Sequence, residues 1–234
     1  MVTEQDKEWL RESHPGLVVT ADDISGAVEF SAFYNENTNT FLQTDRAASD
    51  IPDGILLDCQ YDIRIQRRSD KRFSHLPALL VEAVDPIADR HFGQHDRSAC
   101  LCSPLAEEEF LIPEFNFPLY MKELVVPFLY AQTFYSIHKH WPFPEFSHEA
   151  TGLLESYFAL DNSEKAELCL QVLSHCAQPQ WERINALLFI SGEIKGHMPC
   201  LCPKRDHIRR CHPTALAGLR RLKEHIGLKN LHSP

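Results

Sequence analysis

The chain has 234 residues, 44% of them hydrophobic, a formal charge of −10 and a pI near 5.7. That length supports one large domain, or a medium domain with a small appendage, and it can bury a real core. The acidic balance argues against a protein whose main task is coating nucleic acid, although local basic stretches survive at 64–72 and 204–210.

The first residues, MVTEQDKEWLRESHPG, are polar and acidic and carry none of the marks of a signal peptide. No uncharged apolar run approaches the ~20 residues that a membrane helix requires. A cytoplasmic, membrane-free chain is therefore expected. In that compartment the eight cysteines are better read as buried, metal-binding or reactive groups than as a disulfide framework.

In chain order, EQDKEWLRES (4–13) predicts a short amphipathic helix stopped by His14-Pro15-Gly16. Apolar residues at near period two predict strands over 26–34 and 55–65, and PALLVEAV (77–84) predicts a third, so an antiparallel meander is expected. Residues 85–117, rich in Pro, His, Asp and Ser, predict a long ordered loop that carries function. A helical pattern returns over 119–140, interrupted by Pro127, and further helices fit 149–160, 162–176 and 179–191, with Asp161 or Asn162 as a cap. The last 35 or so residues hold a cysteine cluster and then a basic helix, PTALAGLRRLKEHIG. Strands and helices come in blocks, which makes the fold class α+β.

The tripeptide Cys-Leu-Cys occurs twice, at 100–102 and at 200–202. In the second copy Cys200, Cys202, Cys211 and His212 form C-x-C-x8-C-H. Two close pairs of soft donors separated by a short loop can satisfy tetrahedral zinc without a large core. Four protein donors fill the coordination sphere, so the expected zinc is structural and folds the tail. His207 is a weaker alternative ligand. The pattern resembles the zinc hook at the C-terminus of the SecA translocation ATPase, over residues 199–213. It departs from that hook where Pro203-Lys204-Arg205 replace a Gly-Ser-Gly turn, while Arg209 and Arg210 keep the basic residues before the third cysteine.

Around the first copy, His91, His95, Cys100 and Cys102 have no common structural zinc spacing, and the other use of such a cluster is nucleophilic. Cys102, two residues on, is either a relay thiol or a small buried hydrophobe. Glu107, Glu108 and Glu109 offer carboxylates just beyond, although such a run is more often a solvated face. Cys59, Cys169 and Cys176 sit in apolar periodic contexts and are expected in the core.

The order helix, strands, His75-Leu76-Pro77, DRHFGQHDRSACL and closing helices resembles the ubiquitin-conjugating enzyme fold, in the bacterial branch found in antiphage CBASS operons. Ser98-Ala99-Cys100-Leu101 matches the family's cysteine context, His91 takes the place of the motif histidine, and WPFPEFSHEATGLLESYF is similar to the closing segment of bacterial members. The resemblance spans residues 5–160. The family's motif asparagine is absent, since Phe92-Gly93 follow His91, so its role would fall to His95, Gln94 or a backbone N–H.

The resemblance implies a conjugating domain over 1–148, a helical extension over 149–198, and a zinc hook with its C-terminal helix over 199–234. It also implies thioester chemistry on Cys100, with the C-terminal tail of a cGAS-like nucleotidyltransferase as the group ligated to a lysine. No G-x-G-x-x-G or Walker loop occurs, so the acyl group should arrive already activated. The competing readings are a cysteine peptidase or deconjugase, and a non-enzymatic zinc-stabilised adaptor.

Overall fold

The computed structural model describes residues 2–44, 54–68, 74–85, 90–93, 96–111, 114–143 and 147–232, and at residues 109 and 228–232 the description is confined to the backbone. The chain divides into two compact units, Met1–Cys102 with Glu109–Glu145, and Ser103–Glu108 with Phe146–Pro234. It is a mixed α and β protein with an antiparallel sheet and several helices. Among the described residues no helix is long and apolar enough to cross a membrane.

The first unit opens with α1 (Glu4–Ser13), where Thr3 and Asp6 form a reciprocal capping box that satisfies the first N–H groups. The sheet contains β1 (Leu17–Val19), β2 (Asp23–Asn35), β3 (Thr40–Thr44), β4 (Ile55–Gln66) and β5 (Ala78–Val81). The three expected strands are neighbours in chain order, β2-β4-β5, as a meander requires. The short β1 and β3 add to the other edge of β2, one at each end of it. The period-two pattern of β2 sends Ile24, Val28, Phe30, Ala32 and Tyr34 into one core with Cys59, Ile63 and Ile65 of β4.

Helices cover that face. The chain runs through α2 (Glu108–Leu111), α3 (Phe117–Tyr120), a π-helical turn at Met121–Val125, and α4 (Val126–His138). The expected interruption at Pro127 takes the form of that π turn. Proline has no N–H to donate, and widening the preceding turn lets the Val126 N–H reach back to the Met121 carbonyl. Two buried hydroxyl contacts fasten α4 to β4: Tyr130 donates to the Ile55 carbonyl, and the hydroxyls of Tyr61 and Thr133 lie 2.8 Å apart.

In the second unit α5 (Glu149–Leu160), a 3-10 turn (Ser163–Lys165), α6 (Ala166–Leu173), α7 (Gln178–Phe189), α8 (Ile208–Cys211) and α9 (Pro213–His232) surround one core. The residues expected as a separate extension and a separate hook share that core, since Leu154, Cys169 and Leu188 cluster with Cys200, Leu201 and Leu219. Asp161 closes α5 in the left-handed conformation, and Asn162 caps the following 3-10 turn through the Glu164 N–H. Helix α9 lies so close to α5 that a Cβ on Gly218 would stand 2.0 Å from the Leu154 carbonyl oxygen.

That contact predicts opposite signs for two substitutions on one helix. Gly218→Ala forces α9 off α5 and lowers the unfolding free energy by about 1–3 kcal/mol. Gly227→Ala meets nothing within 4 Å and raises it by about 0.5–1 kcal/mol through helix propensity. Urea titration followed by circular dichroism separates the two.

Candidate functional site

The loop that carries the first cysteine pair is a tight hairpin. Phe92 and Ala99 form an antiparallel bridge, and the Cys100 N–H donates to the His91 carbonyl at 2.7 Å. The Gly93 N–H donates to the Ser98 carbonyl at 2.8 Å, and the Ala99 N–H joins the hairpin to β5 through the Leu79 carbonyl. His91 and Arg97 both take positive φ, 58° and 56°, which is how so short a segment reverses on itself without glycine at either place.

Side chains hold this hairpin from two sides. On one, Arg68 pairs with Asp96 and donates to Ser98 Oγ at 2.8 Å, while Asp96 accepts from the Ser98 N–H and hydroxyl. Ser98 is buried at 3% exposure, so its three polar contacts are what permit it there. On the other, Arg90 donates to the side chain and carbonyl of the fully buried Gln132 and to Ser136 Oγ, and Gln132 donates back to the Arg90 carbonyl. The Arg90 guanidinium also lies over Tyr135, which stacks on Trp141, whose indole meets the His91 ring edge-on at 4.8 Å. Arg68, Asp96, Arg90 and Gln132 carry no local motif in the sequence, and only the fold brings them to this loop.

Cys100 is exposed and in no disulfide. Surrounding protein pushes its thiol above the ordinary range, Arg68 pulls it down and Asp96 pushes it up. Cys102 is half-buried and packs against the first unit's core, which matches the small-hydrophobe reading better than an open relay thiol. His91 is half-buried, joined to Cys100 through backbone, with its ring against Trp141. His95, expected beside them, and Gln94 lie outside the described residues.

Of the glutamate run, Glu107 departs from the solvated face expected of it, while Glu108 keeps to it, being exposed. Glu107 is buried at 4% exposure, Glu108 pairs with Lys165, and both belong to the second unit. The side chain of Glu109 lies outside the description. Cys59 and Cys169 are buried as expected, with thiols pushed by burial to about 11 and about 12, and Cys176 is half-buried.

The second Cys-Leu-Cys is built differently. Pro199 and His207 form an antiparallel bridge, the Cys200 N–H donates to the Asp206 carbonyl, and the Arg205 N–H closes the turn on the Cys202 carbonyl. Arg205 stands at φ 55°, the left-handed position a glycine would take freely, so the Pro-Lys-Arg turn keeps the knuckle shape under strain. Helix α8 then returns Cys211 and His212 to the pair. Arg183 donates to the Pro199 and Cys200 carbonyls from α7.

The donor atoms of Cys200, Cys202, Cys211 and His212 all lie within 4.8 Å of one another, and this cluster could hold a metal ion. Cys200 Sγ lies 3.1 Å from His212 Nδ1, and Cys202 Sγ 3.5 Å from Cys211 Sγ. Tetrahedral zinc at about 2.3 Å from each sulfur sets ligands about 3.8 Å apart, a separation this cluster reaches with small side-chain shifts. Burial pushes Cys200 up, and burial together with the neighbouring sulfurs pushes Cys211 to about 12. Burial would raise Cys202 as well, but hydrogen bonds from Cys211, Cys200 and the N–H groups of Lys204 and Arg205 bring it below the ordinary range. Three sulfurs so close cannot all ionise unless a cation sits between them. His207 is exposed and outside the cluster; its carbonyl instead accepts from the N–H groups of Arg210 and Cys211. Among the described residues this is the one group of three or more His, Cys, Asp or Glu donors within reach of a shared ion, and neither Cys100 nor Cys102 belongs to such a group.

Two measurements follow from these environments. Elemental analysis of the purified chain should find about one metal ion per molecule, and Cys202→Ser should abolish it; no metal, or two ions, contradicts the assignment of one site. Below its pKa a thiol's reactive fraction grows as that pKa falls, so Asp96→Asn should speed alkylation of Cys100 at pH 7 measurably, by roughly twofold or more, and Arg68→Gln should slow it. Peptide-resolved iodoacetamide kinetics reads both.

No family model, no curated protein and no solved structure matches the chain.

Proposed function

We propose that the first unit is a ubiquitin-conjugating-enzyme-like catalytic domain and that Cys100 is its nucleophile, forming a transient thioester with the C-terminal tail of a partner protein and passing it to a lysine. The observation that carries this reading is an exposed residue, Cys100, outside the metal cluster, at the end of a hairpin held by Arg68, Asp96 and Ser98 on one side and Arg90 and Gln132 on the other. Acyl transfer between thiols is close to thermoneutral, so it needs a reachable, positioned thiol more than a strong base.

In the first step the Cys100 thiolate attacks the carbonyl carbon of an activated acyl donor, a thioester or an acyl adenylate. The new C–S bond forms as the donor's thiolate or adenylate leaves. In the second step a neutral lysine amine attacks the same carbon, the C–N bond forms, and Cys100 departs and recovers a proton. The Arg68 charge favours the thiolate form of Cys100. His91 is the titratable ring whose backbone is tied to that cysteine, and Trp141 orients it. The resemblance to the CBASS branch makes a cGAS-like nucleotidyltransferase tail the acyl group, in antiphage defence. Zinc is the ion proposed for Cys200, Cys202, Cys211 and His212, because three thiolates and one imidazole suit it, and a filled sphere makes its role structural.

A cysteine peptidase would require a thiolate held by an imidazolium. It would use the same thiol but release the acyl group to water, so the shortened partner it leaves distinguishes it from a ligase.

Incubated with the partner and its activated tail, Cys100→Ser should accumulate an oxyester, with the mass of the two chains less one water, that survives reducing agent. Wild type should show a thioester that reducing agent cleaves. An adaptor would bind with no adduct in either case, and a peptidase would release a shortened partner; either result on intact-mass analysis overturns the proposal. Cys102→Ser should retain the wild-type adduct, since its sulfur packs against the core.

A further inference from the structure

Away from the cysteine hairpin, the first unit contains a cleft of about 340 Å³ where the end of α1, β3 and the start of α3 meet. His14, which ends α1, lines it. That residue is 95% buried by its 5% exposure, its backbone N–H is used by the Leu10 carbonyl, and its Nδ1 is the buried side-chain nitrogen without a hydrogen-bond partner among the described residues. Burial also lowers its pKa, so at neutral pH the ring is uncharged, with one donor and one acceptor nitrogen. Buried polar nitrogens are almost always paired, and an orphan beside a cleft calls for an occupant.

The rest of the lining has a consistent chemistry. Trp9 and Leu119 provide a flat aromatic wall and an apolar one, and the wall is braced, since Trp9 packs edge-on against both His14 and Phe117. Gln43 and Asn116 bring carboxamides, the Asn116 Oδ1 already being used to cap α3. Lys122 brings a cation whose own contact to Glu123 is long, 3.8 Å, and solvent-exposed, so little is lost by exchanging it for another anion.

We propose that the cleft lined by Trp9, His14, Gln43, Asn116, Leu119 and Lys122 binds a small planar aromatic anion, its ring against Trp9, its charge at Lys122, and its polar edge hydrogen-bonded to His14. Nδ1 is buried in the present rotamer, so this contact requires the imidazole to turn about its outer torsion. The site is independent of the chemistry proposed at Cys100.

The test uses the full chain with benzoate, phenyl phosphate and indole-3-carboxylate as probes, with cyclohexanecarboxylate and benzamide as controls that lack the aromatic ring or the charge. Histidine-ring and indole resonances are followed by NMR. The expected result is saturable movement of the His14 and Trp9 signals with at least one aromatic anion, while Trp181 stays still and both controls bind at least about tenfold more weakly. Lys122→Ala, at an exposed position, should weaken binding by about two- to fivefold, the loss typical of one solvent-exposed charge contact. His14→Gln should weaken it too, and because that buried change can disturb folding, Gln43→Ala on the exposed rim serves as a second reading. Absence of saturable shifts with all three anions, equal binding of the controls, or unchanged binding by Lys122→Ala overturns the proposal.

Discussion

The hydrogen bond from the Cys100 N–H to the His91 carbonyl is the constraint on which the reading of the first unit rests. It closes a short hairpin that, among the described residues, has one bridge, at Phe92 and Ala99, and is tied to β5 by the Ala99 N–H. An isolated two-stranded turn of this kind is marginal in water. Its rigidity comes from the two arginine networks, which convert a flexible loop into a fixed platform. Arg68 and Asp96 do this on the side nearest Ser98, and Arg90 and Gln132 on the side of α4. Because Gln132 is fully buried and bonded in both directions to Arg90, loosening that contact would leave buried polar groups unsatisfied.

Two copies of Cys-Leu-Cys show how little a tripeptide says without its surroundings. At 200–202 the first cysteine and the leucine are buried, the chain doubles back through α8, and the four donors face one point. At 100–102 the first cysteine is exposed, the second is half-buried, and neither has donors gathered round it among the described residues. A thiol in the first setting is held for a cation. In the second, an exposed cysteine on a fixed backbone is available to an electrophile, and the nearby Arg68 and Asp96 charges set how readily it ionises.

Much of this was legible in the sequence where one residue pattern decides one element. Period-two alternation marks β2 and β4, the Pro127 gap marks the irregular turn before α4, and the 149–160 periodicity matches α5. The C-x-C-x8-C-H spacing leads directly to the cluster. The rest depends on partners far apart in the chain. Strand β3 is a short, half-polar segment that makes sense only beside β2, with Phe33 opposite Leu42. Arg68 and Ser98 are thirty residues apart, Arg90 and Gln132 forty-two, and no local pattern connects them. Glu107 looks like part of a solvated acidic run, yet it is buried. Composition describes a residue's average fate, and a single burial is a property of the fold.

The charge balance illustrates the same dependence on context. Helix α9 reads as basic, but its cations are committed within the second unit: Arg220 donates to the Ile194 carbonyl, Arg221 pairs with Asp161 and lies over Phe158, and Lys223 donates to the Ile190 and Gly192 carbonyls just after α7. Those carbonyls sit at a helix C-terminus, where a cation complements the end of the helix dipole. Charges spent in this way hold the second unit together. Lys204, Arg205, Arg209 and Arg210 differ, being exposed. Lys204 and Arg205 act on the sulfur cluster through their backbone, since their N–H groups bond to Cys202 and help bring its thiol below the ordinary range.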